Sequence, residues 1–342
     1  MRDAHAVPSA DLTFAQVLDV VRAASRAVVE EGARGVVVTQ GTDTLEETSF
    51  LADLVWPHEE PLVFTGAMRN PTLAGADGPA NLLASVLTAG SGEARGLGAL
   101  VVFNDEIHAP RWVRKAHSTS TATFVSPNVG PIGQVIEGRV RVLARPPRRD
   151  RVSLEALSAV VAPAAAAGAS SALAGSESAV GSAGSAAVLV SSDSASASVV
   201  SPVSAAESGL LGLGIAASRF DEARVALYTA SLEDDGLLLS GVGDTHAGLV
   251  VAGYGVGHVP SALAPVLGEL AERMPVVLAS RTGAGSVLRH TYGAVGSEVD
   301  LQRRGLINGG LLDPYKARVL LRLLLATGVD RAEIVKAFDL YG

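Results

Sequence analysis

Gly35-Val36-Val37-Val38-Thr39-Gln40-Gly41-Thr42-Asp43-Thr44-Leu45-Glu46-Glu47-Thr48 decides the fold of this chain. A β-branched run stops at a glycine, passes through a hydroxyl and a carboxylate, and becomes helical, which predicts a strand–loop–helix junction. In a parallel sheet the carboxyl ends of the strands face the ligand crevice, so Thr42 and Asp43 fall at the mouth of the sheet. Thr44 and Glu47 have capping-box spacing, which leaves Thr42 and Asp43 free for chemistry. Taken alone, Thr and Asp ahead of a helix are ordinarily caps.

Upstream, Val17, Val20, Val21, Ala24, Val28 and Val29 recur at helical spacing and predict one buried stripe, with Thr13 and Gln16 as its capping box. Downstream, a strand over 62–65 runs into a polar loop that ends at Asp77-Gly78-Pro79, ahead of a helix over 80–89. A third strand over 98–103 leads to a loop bearing Arg111, Arg114 and Lys115, and residues 134–142 read as a hairpin turning at Glu137-Gly138. Strands alternating with helices at this spacing imply an α/β fold with a parallel sheet.

After Arg145 the composition shifts to Ala, Ser, Gly and Val without clear periodicity, which reads as a disordered linker over 146–222. A small apolar subdomain around Ala187 to Val190 is the competing reading, and no chemistry is expected in this stretch. Order resumes in a second, smaller α/β domain over 223–342. It has strands at 224–229, 248–255 and 275–280, and a terminal helix opened by Asp313-Pro314. The larger α/β domain occupies 1–145.

The 342 residues are 48% hydrophobic and 18% charged with a net charge of −8, which argues against nucleic acid as the main partner. The absence of cysteine excludes disulfides, thiolate nucleophiles and thiolate-held metals. No apolar run is long enough for a bilayer, the start lacks the apolar core of a signal peptide, and a cytoplasmic location is the expectation. The seven histidines have no metal-ligand spacing, so no metal is expected. Gly253-Tyr254-Gly255-Val256-Gly257 hints at a phosphate loop but lacks the rest of the dinucleotide fingerprint.

Lys115 sits in a loop after a later strand of the same sheet, within reach of the same crevice. A Lys beside a Thr hydroxyl lowers the cost of a developing alkoxide, and an Asp binds an ammonium. On spacing alone, a solvated lysine is an equal reading.

The stretch over 38–48 closely resembles the second signature of the bacterial-type asparaginase/glutaminase family. Further matches are Thr65-Gly66-Ala67-Met68-Arg69, Ala76-Asp77-Gly78-Pro79-Ala80-Asn81-Leu82, Asn104-Asp105-Glu106, Lys115 with Ala122-Thr123-Phe124, Gly130-Pro131-Ile132-Gly133 and Leu312-Asp313-Pro314-Tyr315-Lys316-Ala317-Arg318. The resemblance implies a larger amino-terminal and a smaller carboxy-terminal α/β domain. It also implies cofactor-free hydrolysis of L-asparagine, and of glutamine in some members, to acid and ammonia, and a homotetramer.

Carried over by position, Thr42 and Lys115 resemble the family's second catalytic pair and Asp43 the carboxylate that holds the substrate's α-ammonium. Ser9 resembles the serine that binds the substrate carboxylate, with Ala10 where a glutamine is common. Ala67 resembles the position whose backbone lies beside the leaving amide, and His258 and Glu298 fall near places where a neighbouring subunit completes the site. The family opens with a strand ending in a Thr-Gly-Gly-Thr-Ile-type motif that carries the principal nucleophile, followed by a loop with a tyrosine. Met1 corresponds to a position after both. The resemblance therefore predicts an in-frame continuation upstream of Met1 and, without it, a bare strand edge in the sheet and a chain that binds an amino-acid amide without turnover. A relative acting on aminoacylated RNA fits poorly with the acidic charge.

Overall fold

The computed structural model describes residues 2–146, 186–190 and 217–342. Most of the stretch read as a linker, residues 147–185 and 191–216, lies outside the described residues. The strands are β1 (Arg2–His5), β2 (Val36–Thr39), β3 (Leu62–Thr65), β4 (Ala99–Phe103), β5 (Glu106–His108), β6 (Arg114–Lys115), β7 (Phe124–Val125), β8 (Gly133–Ile136), β9 (Arg139–Val142), β10 (Ala186–Val190), β11 (Val225–Thr229), β12 (Gly248–Gly253), β13 (Val276–Ser280) and β14 (Ile307–Asn308). The helices are α1 (Phe14–Glu31), α2 (Leu45–Val55), α3 (Gly78–Gly90), α4 (Ala217–Glu222), α5 (Val242–Thr245), α6 (Leu263–Arg273), α7 (Glu298–Arg303), α8 (Pro314–Thr327) and α9 (Arg331–Tyr341).

The larger sheet runs β1-β10-β2-β3-β4-β5-β8-β9. β2, β3 and β4 are parallel, in register at Val36–Leu62–Ala99, and almost wholly buried, as continuous apolar strands covered on both faces must be. Beyond β4 the sheet is antiparallel, ending in the β8–β9 hairpin, whose turn residues Glu137 and Gly138 have φ of 50° and 71°.

β10 lies antiparallel between β1 and β2, pairing Val188 with Arg2 on one side and with Val38 on the other. The bare edge expected beside β2 is therefore occupied, by a strand from the Ala/Ser-rich stretch. The smaller sheet, β11-β12-β13-β14, is parallel throughout.

α1 begins with the expected capping box: Gln16 N donates to Thr13 Oγ1 at 3.2 Å and Thr13 N to Gln16 Oε1 at 2.9 Å. Val17, Val20, Val21 and Ala24 of its stripe are buried, whereas Val29, expected on that stripe, is 70% exposed. α8 packs on the smaller sheet with one face and on α2 with another, so residues of both halves share one core, Val36, Phe50 and Val101 with Val250, Val277 and Leu320. Among the described residues no helix is long and apolar enough to cross a membrane.

Candidate active site

β2 ends at Thr39, and the loop over 40–44 carries its polar groups across the carboxyl end of the sheet before α2 begins. Gly66 follows β3 at the same height. A Cβ at Gly66 would lie 2.3 Å from Gln40 O, so that glycine is demanded by close approach of main chain, whereas one at Gly41 would lie 2.6 Å from Ser9 Oγ and require the Ser9 side chain to shift. Gln40 is fixed by Thr48, whose hydroxyl donates to Gln40 Oε1 at 3.0 Å.

Four of the expected site residues meet here. Lys115 Nζ donates to Thr42 Oγ1 at 2.9 Å and to Asp43 Oδ1 at 3.0 Å. Asp43 N donates to Ser9 Oγ at 3.3 Å. Thr42 and Ser9 are buried, while the Asp43 carboxylate is 67% exposed and open to a solute.

The capping box expected from Thr44 and Glu47 does not form. Thr44 is the N-cap of α2 but makes no side-chain cap. Its hydroxyl donates to Ser9 O at 2.8 Å, a long-range partner that local spacing cannot reveal. Glu47 turns toward Arg318 instead, and burial raises its carboxyl above the ordinary carboxylate range.

Lys115 is in β6, and its amide donates to Glu46 Oε2 at 3.3 Å. Burial pushes the Glu46 carboxyl up to about 7, against the opposing pull of Lys316. Lys316, on α8, is held 3.8 Å from the same oxygen and donates to Val113 O. Beside them Arg114 is paired with Asp313, the N-cap of α8, at 2.7 Å. Glu46, Lys316, Arg114 and Asp313 carry no site role in the sequence reading; the available signal was a carboxylate and a lysine placed on helix faces that are otherwise apolar.

Ala67 is exposed on the loop after β3. That loop is tied down by Asp77, whose carboxylate accepts from Met68 N and Arg69 N at 2.9 Å each, and by Asn81, which donates to Gly66 O at 3.0 Å. His258 and Glu298 meet each other in the smaller half, with His258 Nε2 3.2 Å from Glu298 Oε2. Burial works to raise the Glu298 carboxyl, but the amides of Tyr292 and Thr291 and the His258 ring outweigh it and hold the group low.

The glycine turn after β12 leaves little for a phosphate: Tyr254 N donates to His258 O, and Gly257 N and His258 N both donate to Tyr254 O. Among the described residues no group of three or more His, Cys, Asp or Glu is placed to hold a metal ion. A cavity of about 460 Å³ opens beside α2, between Leu12, Phe14, Thr44, Glu47 and Arg318.

Known proteins carry the same sequence pattern. The family profile described as "Asparaginase, N-terminal" matches residues 1–148, and "Glutaminase/Asparaginase C-terminal domain" matches residues 224–338. An L-asparaginase of Bacillus licheniformis is 28% identical over 326 residues, covering 95% of this chain and 81% of that protein. A probable L-asparaginase of Deinococcus radiodurans is 31% identical over 311 residues, or 90% and 76% of the two chains. L-asparaginase 2 of Escherichia coli is 30% identical over 310 residues, or 90% and 70%. With both family regions present in order, on a larger and a smaller α/β domain, the chain belongs to the bacterial-type asparaginase family.

Proposed function

We propose that this chain is an asparaginase-type amidohydrolase converting L-asparagine to L-aspartate and ammonia, with Thr42, Lys115 and Asp43 at its reacting end. The observation that carries the reading is the contact of one ammonium with both a buried hydroxyl and an exposed carboxylate, Lys115 with Thr42 and Asp43. The family and the relatives named L-asparaginase supply the substrate.

In the reaction, the oxygen of water ends on the side-chain carbonyl carbon, the C–N bond breaks, and nitrogen leaves with the proton as ammonia. Lys115 donates to the Thr42 oxygen, so that hydroxyl's own proton points away, toward the reacting atoms. That proton passes to the departing nitrogen and Thr42 takes one back from the attacking water; the negative charge that develops on Oγ1 between the two transfers is stabilised by the adjacent ammonium. Asp43 Oδ2, left by Lys115, takes the substrate α-ammonium, and Ser9 lies beside it to donate to the α-carboxylate. The loop of Ala67 flanks the leaving amide at the end of the adjacent strand.

The same reading gives domains over 1–145 and 223–342 joined by 146–222, a cytoplasmic location and no resident cofactor. It also gives a homotetramer in which His258 and Glu298 contribute to a neighbouring subunit's site. Glutamine is a second substrate to test, because some relatives are named glutaminase-asparaginase.

The test is ammonia release from L-asparagine by the full chain. Thr42→Ala and Lys115→Met are each expected to lower kcat by about a thousandfold, since residues acting as a unit fail together. Ammonia release by Thr42→Ala at the parent rate, or none from the parent chain, would overturn the reading.

A further inference from the structure

Behind the Thr42–Lys115 contact lies a second charged pair that the proposed reaction does not use. Glu46 and Lys316 have side chains 10% and 1% exposed, with Lys316 Nζ 3.8 Å from Glu46 Oε2. Burying such a pair contributes little net stability compared with apolar residues of the same volume. What this pair does have is a grip on main chain. Glu46 accepts the amide of Lys115, and Lys316 donates to the carbonyl of Val113, two residues earlier. Arg114, between them, is held by Asp313. Three consecutive residues of β6 and its approach are thus fixed from α2 on one side and from α8 on the other.

Glu46 lies four residues after Thr42 on the segment that positions the threonine. Its carboxylate therefore ties the Lys115 main chain to the segment that carries Thr42.

We propose that Glu46 and Lys316 are positioning residues, a clamp between the two domains on the backbone at Val113 and Lys115 that sets the reach of the Lys115 ammonium to Thr42 Oγ1. The inference rests on the reading of Thr42 and Lys115 given above.

The clamp is sensitive to pH. Glu46 is faced by Lys316 and Asp313 from α8 and by Arg114 and the Lys115 amide from β6. With its carboxyl near 7, the charged form that attracts Lys316 prevails above neutrality and is lost as pH falls through that value. The kcat profile is expected to carry an acid limb near pH 7, absent from Glu46→Gln, which keeps an acceptor of the same shape.

The chain has only three lysines, Lys115, Lys316 and the exposed Lys336, so lysine ε-carbon labelling gives three resolvable NMR signals in the full chain. In Glu46→Gln and Lys316→Met the Lys115 signal is expected to move while Lys336 stays fixed. Their kcat is expected to fall roughly 100-fold, the scale of an ångström of misplacement, with KM within about threefold. Unmoved Lys115 signals and unchanged kcat, with only a lower melting temperature, would make the pair merely structural and overturn the proposal. Should Lys316→Met not fold, the isosteric Glu46→Gln decides alone. Failure of the amidohydrolase reading shows separately, as parent-level ammonia release in Thr42→Ala, and the Lys115 signal still tests the clamp.

Discussion

A side chain at Gly41 would run into that of Ser9, with Ser9 Oγ 2.6 Å and Ser9 Cβ 3.1 Å from where its Cβ would be. Gly41→Ala must therefore push Ser9 aside and break the Asp43 N to Ser9 Oγ hydrogen bond. A cost of about 1–3 kcal/mol in stability is expected from the overpacking, with KM for asparagine raised roughly tenfold by loss of one substrate contact, about 1.4 kcal/mol. Adding Ser9→Gly should restore the melting temperature but not KM; an unchanged KM in Gly41→Ala would remove Ser9 from the substrate site. At this scale the residue types alone favoured caps for Thr42 and Asp43 and left Lys115 an even choice with a solvated lysine; their site roles were legible only through the resemblance of the motifs that contain them. Glu46 was not, because its role depends on Lys115 and Lys316, 69 and 270 positions away, and the Thr44 hydroxyl went to Ser9 O for the same reason.

β10 falls where a disordered linker was the preferred reading and an apolar unit around Ala187 to Val190 only the competing one. Its residues, Ala-Ala-Val-Leu-Val, sit in a stretch whose composition carries no alternation, and its partners are β1 and β2, far back in the chain. The βαβ core and the β8–β9 hairpin were readable because their signals are local: apolar runs, caps and the Glu137-Gly138 turn. A central strand has no tolerance for proline, which lacks the amide and obstructs the ladder. Val188→Pro is expected to cost about 3 kcal/mol or more, and to speed hydrogen exchange in Arg2–His5 and Val36–Thr39, the strands on either side. Exchange unchanged in both would show that β10 does not hold the sheet together there. Because Ser9 follows β1 by a few residues and Thr42 follows β2, loosening this seam should also raise KM.

At the scale of the whole molecule, two sheets are joined by α8, whose faces serve both. Leu320, fully buried on that helix, belongs to the core that contains Phe50 and Val101 of one half and Val250 and Val277 of the other. Arg114–Asp313 and Lys316–Val113 tie the same helix to the segment bearing Lys115. Chains of this length commonly unfold in parts, but a shared core and shared polar ties should make these halves unfold together. Leu320→Ala creates a cavity costing roughly 2–5 kcal/mol. The chromophores divide to report on it: both tryptophans, Trp56 and Trp112, lie in the larger half, and all five tyrosines, Tyr228, Tyr254, Tyr292, Tyr315 and Tyr341, in the smaller. Tryptophan and tyrosine emission should shift to lower denaturant together in Leu320→Ala, although the substitution is outside the tryptophan-bearing half. A tyrosine transition that moves while the tryptophan transition stays would mean that the domains are independent. The smaller domain would then not fix the geometry of Lys115, and the reach of that lysine to Thr42 would have to be set by α2 alone.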